Sequence, residues 1–295
     1  MSINFENLPA GEYRLTVCIE ALSDTSFSLF GNHRHFLYHS QKMTKGETMR
    51  SEFAVAIRNA DFQKQDNYRD ESYEIFWDGD VKLEAAIEPK SYPVLYTLGD
   101  STVCNQTHIG TSPIHRCGGW GQALPKFLKT AYAVSNHAEQ GTHTKNCLDC
   151  HLLPVLEQVK KGDLVLCQFG HNDQKQAWLD ADGGYFENLI KIGNLIQEKD
   201  AEFIICTPIN RLIYIDNKIN TYLDPWRDAA KKAAKALGTK CIDLHSFTTD
   251  LYAKMGDEAE NLFYHSPDLD RTHPNDFGAL SISEYVCEQI KGGKQ

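Results

Sequence analysis

Ser101, Asp270 and His273 are the residues of this chain whose types and spacing suit nucleophilic chemistry. Ser101 stands in Leu98-Gly99-Asp100-Ser101-Thr102-Val103, directly after an apolar run, where a tight turn eased by Gly99 can present a hydroxyl above the end of a strand. A serine hydroxyl is a poor nucleophile without a base. The segment Asp270-Arg271-Thr272-His273-Pro274 offers one. In a turn, a carboxylate three residues before an imidazole can accept from its Nδ1–H and leave Nε2 free to take the serine proton. Attack on an acyl carbon creates an oxyanion, and donors for it stand in two more loops. Gly141, in Val134-Ser135-Asn136-His137-Ala138-Glu139-Gln140-Gly141-Thr142, lets a backbone N–H approach a ligand closely, and Asn172, in Phe169-Gly170-His171-Asn172-Asp173, carries a side-chain amide. Together with the Ser101 N–H they make a three-donor oxyanion hole. Each motif alone reads more readily as a polar turn; four in this order point to acyl transfer through a serine ester.

The elements that position these residues show in the hydrophobic pattern. From about Pro93, short and nearly continuous apolar runs alternate with helical stretches, the pattern of a parallel sheet covered on both faces. Val94–Leu98, Leu164–Phe169, Phe203–Cys206 and Lys240–Leu244 are the expected strands, and residues 225–237 an expected helix closed by Gly238. Ligands of open α/β sheets bind at the carboxyl ends of the strands, where Ser101 and Asn172 lie. The first ninety residues read differently. Tyr13, Leu15, Val17, Ile19 and Ala21 alternate with Arg14, Thr16, Cys18 and Glu20, and shorter alternations recur at Phe53–Ile57 and Val81–Ile87, the second after an Asp78-Gly79 pair suited to a tight hairpin turn. The change of period predicts two domains, residues 1–90 as a β-sandwich and 91–295 as the α/β domain.

The set Gly99-Asp100-Ser101, Gly141, Gly170-x-Asn172-Asp173 and Asp270-x-x-His273 resembles the four blocks of SGNH/GDSL hydrolases, over residues 94–290. More narrowly, Gly-Asp-Ser-Thr-Val, Gly119-Trp120-Gly121-Gln122, Phe-Gly-His-Asn-Asp and Asp-x-Thr-His-Pro look like the rhamnogalacturonan acetylesterase branch. The resemblance implies a flavodoxin-like three-layer α/β/α fold, Ser101 as nucleophile, His273 as base and then acid, Asp270 as its orienter, and Ser101, Gly141 and Asn172 as the oxyanion hole. It implies no cofactor and no metal. The expected substrate is an acetylated pectic oligosaccharide; an acetylxylan esterase, a lipase or thioesterase, and a carbohydrate-binding protein are the alternatives. Thr107 to Gly119, with His108, His115 and Cys117, interrupts the branch pattern, and the N-terminal β-rich region has no counterpart in the minimal esterase.

Rival signals have plainer explanations. Cys147-Leu148-Asp149-Cys150-His151 fits a haem-attachment pattern, and with His143 a zinc site, but no second ligand pair exists and the segment reads as the start of a helix leading to Leu152, Leu153, Val155 and Leu156. His171 reads as a loop-shaping residue. Trp120, Trp178 and Trp226 are candidates for stacking on sugars, with packing as the alternative. His33-Arg34-His35 reads as solvated hairpin surface.

Of the 295 residues, 41% are hydrophobic and 24% charged, which excludes disorder and fibre. The net charge of −10 comes without a basic patch, which argues against nucleic acid as a partner and favours short oligosaccharides over an anionic pectic polymer. No apolar run approaches 18 residues, so no membrane span is expected. Nine cysteines and an opening without a basic or apolar leader predict a cytoplasmic protein with free thiols, or a secreted or periplasmic one if a leader has been removed.

Overall fold

A computed structural model describes residues 1–58, 71–106, 115–216, 218–220, 222–265 and 268–292. It has two compact units: Met1–Leu95 with Gln122–Ser135, and Tyr96–Gly121 with Asn136–Gln295. The division therefore does not fall at one point near residue 90. Segment 122–135 belongs to the first unit because Ala54 N donates to Lys129 O (2.8 Å), Ala133 N donates to Pro93 O (3.0 Å), and Ala54, Tyr92 and Ala133 bury one another. A change of hydrophobic period could not reveal that return of the chain.

In the first unit, strands β1 (Ser2–Phe5), β2 (Gly11–Ala21), β3 (Thr25–Gly31), β4 (His35–Met43), β5 (Thr48–Ile57), β6 (Tyr73–Trp77) and β7 (Val81–Pro89) are antiparallel. One sheet runs β1-β6-β3-β4, and in the other β2 lies between β5 and β7, with Leu15 opposite Phe53 and Ile87. The alternation in β2 works as expected: Tyr13, Leu15, Val17, Ile19 and Ala21 are buried. They share one core with Phe27, Leu29, Leu37, Tyr73 and Ile75 of the other sheet. The Asp78-Gly79 turn does not close a hairpin. Gly79 does have a left-handed φ of 84°, and a Cβ there would lie 2.8 Å from Ser26 O, but β6 pairs with β1 and β3 while β7 pairs with β2. The turn carries the chain between sheets. His33-Arg34-His35 does join the antiparallel strands β3 and β4, yet Arg34 and His35 are buried, with the Arg34 guanidinium over the Phe36 ring at 5.1 Å. The expectation of a solvated surface fails there because the guanidinium finds an aromatic face instead of water.

In the second unit the parallel strands are β8 (Val94–Gly99, entering from the first unit), β10 (Leu164–Gln168), β11 (Glu202–Cys206) and β14 (Lys240–Ile242), in the order β14-β11-β10-β8. The chain after β9 (Ala133–Asn136) continues beside β8, His137 N donating to Thr97 O (2.9 Å) and Glu139 N to Gly99 O (3.1 Å). Every residue of β8 and β10 is buried, which is why these strands are apolar except at Thr97 and Gln168 rather than alternating. β14 is shorter than expected because Asp243 turns away to cap the next helix, accepting from Ser246 N at 3.2 Å.

Among the described residues there are seven α-helices: α1 (Trp120–Leu128), α2 (Thr144–Asn146), α3 (Leu153–Leu156), α4 (Phe186–Gln197), α5 (Asp224–Leu237), α6 (Leu244–Met255) and α7 (Asp276–Gly292). α5 ends at Gly238 with φ 63°, as its sequence predicts. Two antiparallel ribbons complete the unit, β12 (Tyr214–Ile215) with β13 (Lys218–Ile219) and β15 (Phe263–His265) with β16 (Leu269–Pro274). No helix among the described residues is long and apolar enough to cross a membrane.

Candidate active site

β8 delivers Ser101. The strand is fully buried, and past Gly99 the chain coils at once, Val103 N and Cys104 N both donating to Asp100 O at 3.0 Å. A Cβ on Gly99 would lie 2.6 Å from Val103 Cγ2 and 2.9 Å from Gln168 O, so only glycine permits this turn. Asp270 and His273 arrive on β16 rather than in a free loop. They still meet, because Asp270 Oδ1 accepts from Thr272 N (2.7 Å) and His273 N (3.0 Å), folding the strand locally, while Oδ2 lies 2.7 Å from His273 Nδ1. On the far side of the ring, His273 Nε2 lies 2.8 Å from Ser101 Oγ. Residues 169 positions apart in sequence thus form one hydrogen-bonded line from carboxylate to hydroxyl.

Burial pushes the Asp270 carboxyl up, but the His273 hydrogen bond and charge and the two backbone donors outweigh it and hold the pKa at about 2. The carboxylate is therefore ionised wherever the imidazole works, which fixes Nδ1 as the donor nitrogen.

Gly141 and Asn172 are tied to each other by the chain: Asn172 Nδ2 donates to Thr142 O at 3.1 Å. Gly141 has φ 73°, a left-handed conformation, and a Cβ there would have nothing within 4 Å, so the backbone on that side faces open space. Neither the Ser101 nor the Gly141 N–H has an acceptor among the described residues. Lys175 Nζ donates to Asn172 Oδ1 at 2.9 Å, orienting the amide with its NH₂ away from the lysine. The arrangement can deprotonate a hydroxyl and offer unspent donors to an oxyanion.

The sequence model of the GDSL-like lipase/acylhydrolase family matches residues 97–279, a span from the middle of β8 into α7. The chain belongs to that family. It is 31% identical over 212 residues to rhamnogalacturonan acetylesterase RhgT of Bacillus subtilis (strain 168), covering 67% of this chain and 89% of RhgT. It is 28% identical over 208 residues to the uncharacterized esterase YxiM of the same organism, covering 69% of this chain and 53% of YxiM. The crystal structure of Bacillus subtilis YxiM matches with a TM-score of 0.63 at 22% identity, over 99% of this chain and 80% of that one. An acetylxylan esterase from Geobacillus stearothermophilus, Axe2, matches with a TM-score of 0.54 at 17% identity, over 67% of this chain and 94% of Axe2, a likeness of fold. This GDSL hydrolase is a carboxylic ester hydrolase with a mixed α/β fold around a parallel sheet.

Other residues singled out in the sequence fall elsewhere in the hydrolase. Trp120 is fully buried and donates its Nε1–H to Gln168 Oε1 at 2.9 Å, so it braces β10 and offers no stacking face. Trp226 is half-buried, and Gly170, with φ 140°, abuts it: a Cβ on Gly170 would lie 3.6 Å from Trp226 Cβ. Trp178 is 56% exposed. Cys147 is buried and Cys150 exposed on one π-helical turn, while His143 caps α2, its Nδ1 accepting from Asn146 N at 3.2 Å. Among the described residues no group of three or more His, Cys, Asp or Glu side chains could hold a metal ion. Residues 107–114, with His108, lie outside the described residues, and Cys117 bridges to Asn275.

Two buried carboxylates of these blocks, Asp100 and Asp173, have partners the sequence did not reveal. Asp100 accepts from Thr102 N (2.9 Å) and Thr102 Oγ1 (2.7 Å), and its Oδ2 lies 3.4 Å from His171 Nδ1. Burial pushes this carboxyl up, but His171 and Thr102 outweigh it and the net shift is downward. Since Asp100 precedes Ser101 and His171 precedes Asn172, the pair joins the two loops from below, which agrees with a loop-shaping part for His171. Asp173 accepts from Thr144 N (2.9 Å) and Thr144 Oγ1 (2.6 Å), while its Oδ2 is buried without a partner among the described residues. No spacing rule links residues 71 or 29 positions apart.

Burial dominates at Asp173 and raises its pKa to about 6, against an ordinary 3.8. A carboxyl with a raised folded pKa favours the folded state fully below the unfolded value, and that contribution is lost as pH rises through the folded one. Asp173→Asn keeps an acceptor for Thr144 and removes the buried charge. Its melting temperature relative to the parent is expected to climb between about pH 4 and 7, checked by melting both proteins across that window. A pH-independent difference would mean that Asp173 is not ionising there.

Proposed function

We propose that this hydrolase is a serine carbohydrate esterase that removes O-acetyl groups from rhamnogalacturonan fragments. The observation that carries the reading is the unbroken line from Ser101 Oγ through His273 to Asp270. In the proposed reaction Ser101 Oγ bonds to the acetyl carbon as its proton passes to His273 Nε2. The carbonyl π pair moves to oxygen, where the Ser101 N–H, the Gly141 N–H and the Asn172 amide receive it. Asp270 stabilises the imidazolium. Collapse breaks the bond to the sugar oxygen, which leaves with the Nε2 proton. Water then gives a proton to Nε2 and attacks the acetyl-serine, and acetate departs as Oγ recovers its proton.

For the substrate, support comes from the likeness to RhgT and from 27% identity over 204 residues with YesY of Bacillus subtilis, a probable rhamnogalacturonan acetylesterase. We read the first unit as an accessory β-sandwich, supported by its two sets of antiparallel strands, β1-β6-β3-β4 and β5-β2-β7, over one core, and the second as the flavodoxin-like three-layer hydrolase domain. The net charge of −10 supports short fragments over intact anionic polymer.

Acetate release from acetylated rhamnogalacturonan, xylan and mannan oligosaccharides, measured side by side, tests the proposal. The highest kcat/KM is expected on the rhamnogalacturonan fragments. A higher value on xylan would make the protein an acetylxylan esterase, a preference for long-chain synthetic esters a lipase, and tight sugar binding without acetate release a binding protein.

A further inference from the structure

Beyond β10 the chain makes one 3-10 turn over Asp173–Lys175, Lys175 N donating to Asn172 O at 3.1 Å, extends at Gln176, and turns again with Leu179 N donating to Gln176 O at 2.9 Å. Turns of this pitch bring residues three apart onto one side. Lys175 therefore stands over Asn172, and its ammonium donates to Asn172 Oδ1. One of its three N–H groups is used in that bond. No carboxylate among the described residues pairs with it. The lysines at 145, 160, 231 and 232 each pair with an aspartate, while Lys191, Lys199 and Lys254, like Lys175, have no carboxylate partner among the described residues; what sets Lys175 apart is its bond to Asn172. An exposed ammonium with no counter-ion, held against the amide of the oxyanion loop in a chain of charge −10, is placed to receive an anion from a ligand.

Past the extended Gln176 lies Trp178, 56% exposed where Trp120 is fully buried. Its ring meets that of His143 edge to face, at 5.4 Å and 90°. His143 is itself fixed by its cap bond to Asn146 N, and its neighbour Thr142 accepts from Asn172 Nδ2. The indole is thus held on the same loops as the oxyanion donors while most of its surface faces water. Rigid exposed indole faces suit the C–H face of a pyranose, and an ammonium nearby suits a ring that carries a carboxylate.

We propose that Lys175 and Trp178 form a subsite for an acidic sugar beside the oxyanion loop, Trp178 stacking on a pyranose of the acetylated oligosaccharide and Lys175 Nζ receiving the carboxylate of a hexuronate in it. The proposal rests on the carbohydrate-esterase reading and adds the means by which the site would select an acidic backbone.

The test compares kcat/KM for acetate release from one acetylated hexuronate-containing oligosaccharide and from the same oligosaccharide with its carboxylates methyl-esterified. The parent protein is expected to prefer the acidic form, and Lys175→Gln to lower that preference about tenfold, the scale of one charge-assisted hydrogen bond. Loss of the bond to Asn172 slows both substrates alike and cancels in the ratio. Lys175→Arg is expected to restore the preference, and added salt to erode it as exposed charges are screened. Trp178→Ala is expected to raise KM for both oligosaccharides about fivefold relative to p-nitrophenyl acetate, which has no sugar to stack. An unchanged acidic preference in Lys175→Gln would overturn the subsite and leave the substrate reading standing. A parent protein active on acetyl esters but indifferent to the carboxylates would overturn the subsite, and highest activity on xylan would remove the substrate reading beneath it. A Trp178→Ala protein with unaltered KM but a changed sedimentation coefficient would make the indole a contact between copies of the chain and likewise overturn the proposal.

Discussion

Replacing Ser101 by Ala is expected to lower ester hydrolysis by about 10⁵-fold or more while leaving the folded state as stable as the parent within about 0.5 kcal/mol. The size follows from what is removed. The hydroxyl is the atom placed at 2.8 Å from His273 Nε2, and without it the relay has a base and no nucleophile. What remains is the donor set, able to polarise a carbonyl for attack by water, which is why a residual rate is expected rather than none. The fold should not notice, because the half-buried side chain's contact is with His273, and the backbone oxygen that accepts from Gln106 Nε2 at 2.9 Å is untouched. Release of p-nitrophenol from p-nitrophenyl acetate gives the rate and thermal melting gives the stability. A serine-directed phosphonate adds the covalent evidence: one adduct by mass in the parent protein and none in Ser101→Ala. Activity within tenfold of the parent, with an adduct still formed, would place the nucleophile elsewhere.

The residues that carry this prediction were legible in the sequence because each sits where a local rule operates. A fully buried strand announces itself as an apolar run, and the polar residues just past its end, Ser101 after β8 and Asn172 after β10, are presented at the sheet's carboxyl edge. Gly99 and Gly141 stand where a Cβ or an ordinary φ fails. Asp270 and His273 were legible as a pair because their bond spans three residues, although the strand that holds them was not, since β16 is a short ribbon built on β15 rather than a core strand. The rest depended on contacts without local signature. Asp78-Gly79 specified a tight turn but not that its two flanking strands would pair in different sheets. Trp120 and Trp178 look alike in sequence, and only the presence of Gln168 beside one and open solvent beside the other separates them. Asp100 with His171, and Asp173 with Thr144, join segments that come together only when the sheet is assembled.

Asp270→Asn provides the sharpest separation between a structural and an electrostatic part for the carboxylate, and a loss of about 10⁴-fold in kcat is expected. The substitution retains Oδ1, and with it the bonds from Thr272 N and His273 N that bend β16. It replaces Oδ2, which faces His273 Nδ1 at 2.7 Å, by an NH₂ group. Two donors cannot share that position, so Nδ1 loses its proton and becomes the acceptor. The neutral ring must then carry its hydrogen on Nε2, pointing at Ser101 Oγ, where an acceptor is needed. Geometry survives and proton transfer fails. The same change alters acid stability in a direction fixed by the lowered pKa of about 2. A carboxylate held below its ordinary 3.8 stabilises the fold above that value, and the contribution fades as pH falls toward 2. Melting temperatures of the parent and Asp270→Asn are therefore expected to differ at neutral pH and converge in acid. Asp270→Ala, which also strips the acceptor from the two backbone amides, should lose more stability than Asp270→Asn at every pH, since two amides then lack their partner. If Asp270→Asn kept kcat within tenfold of the parent, the carboxylate would be a brace for the strand, and the base would have to find its tautomer without it.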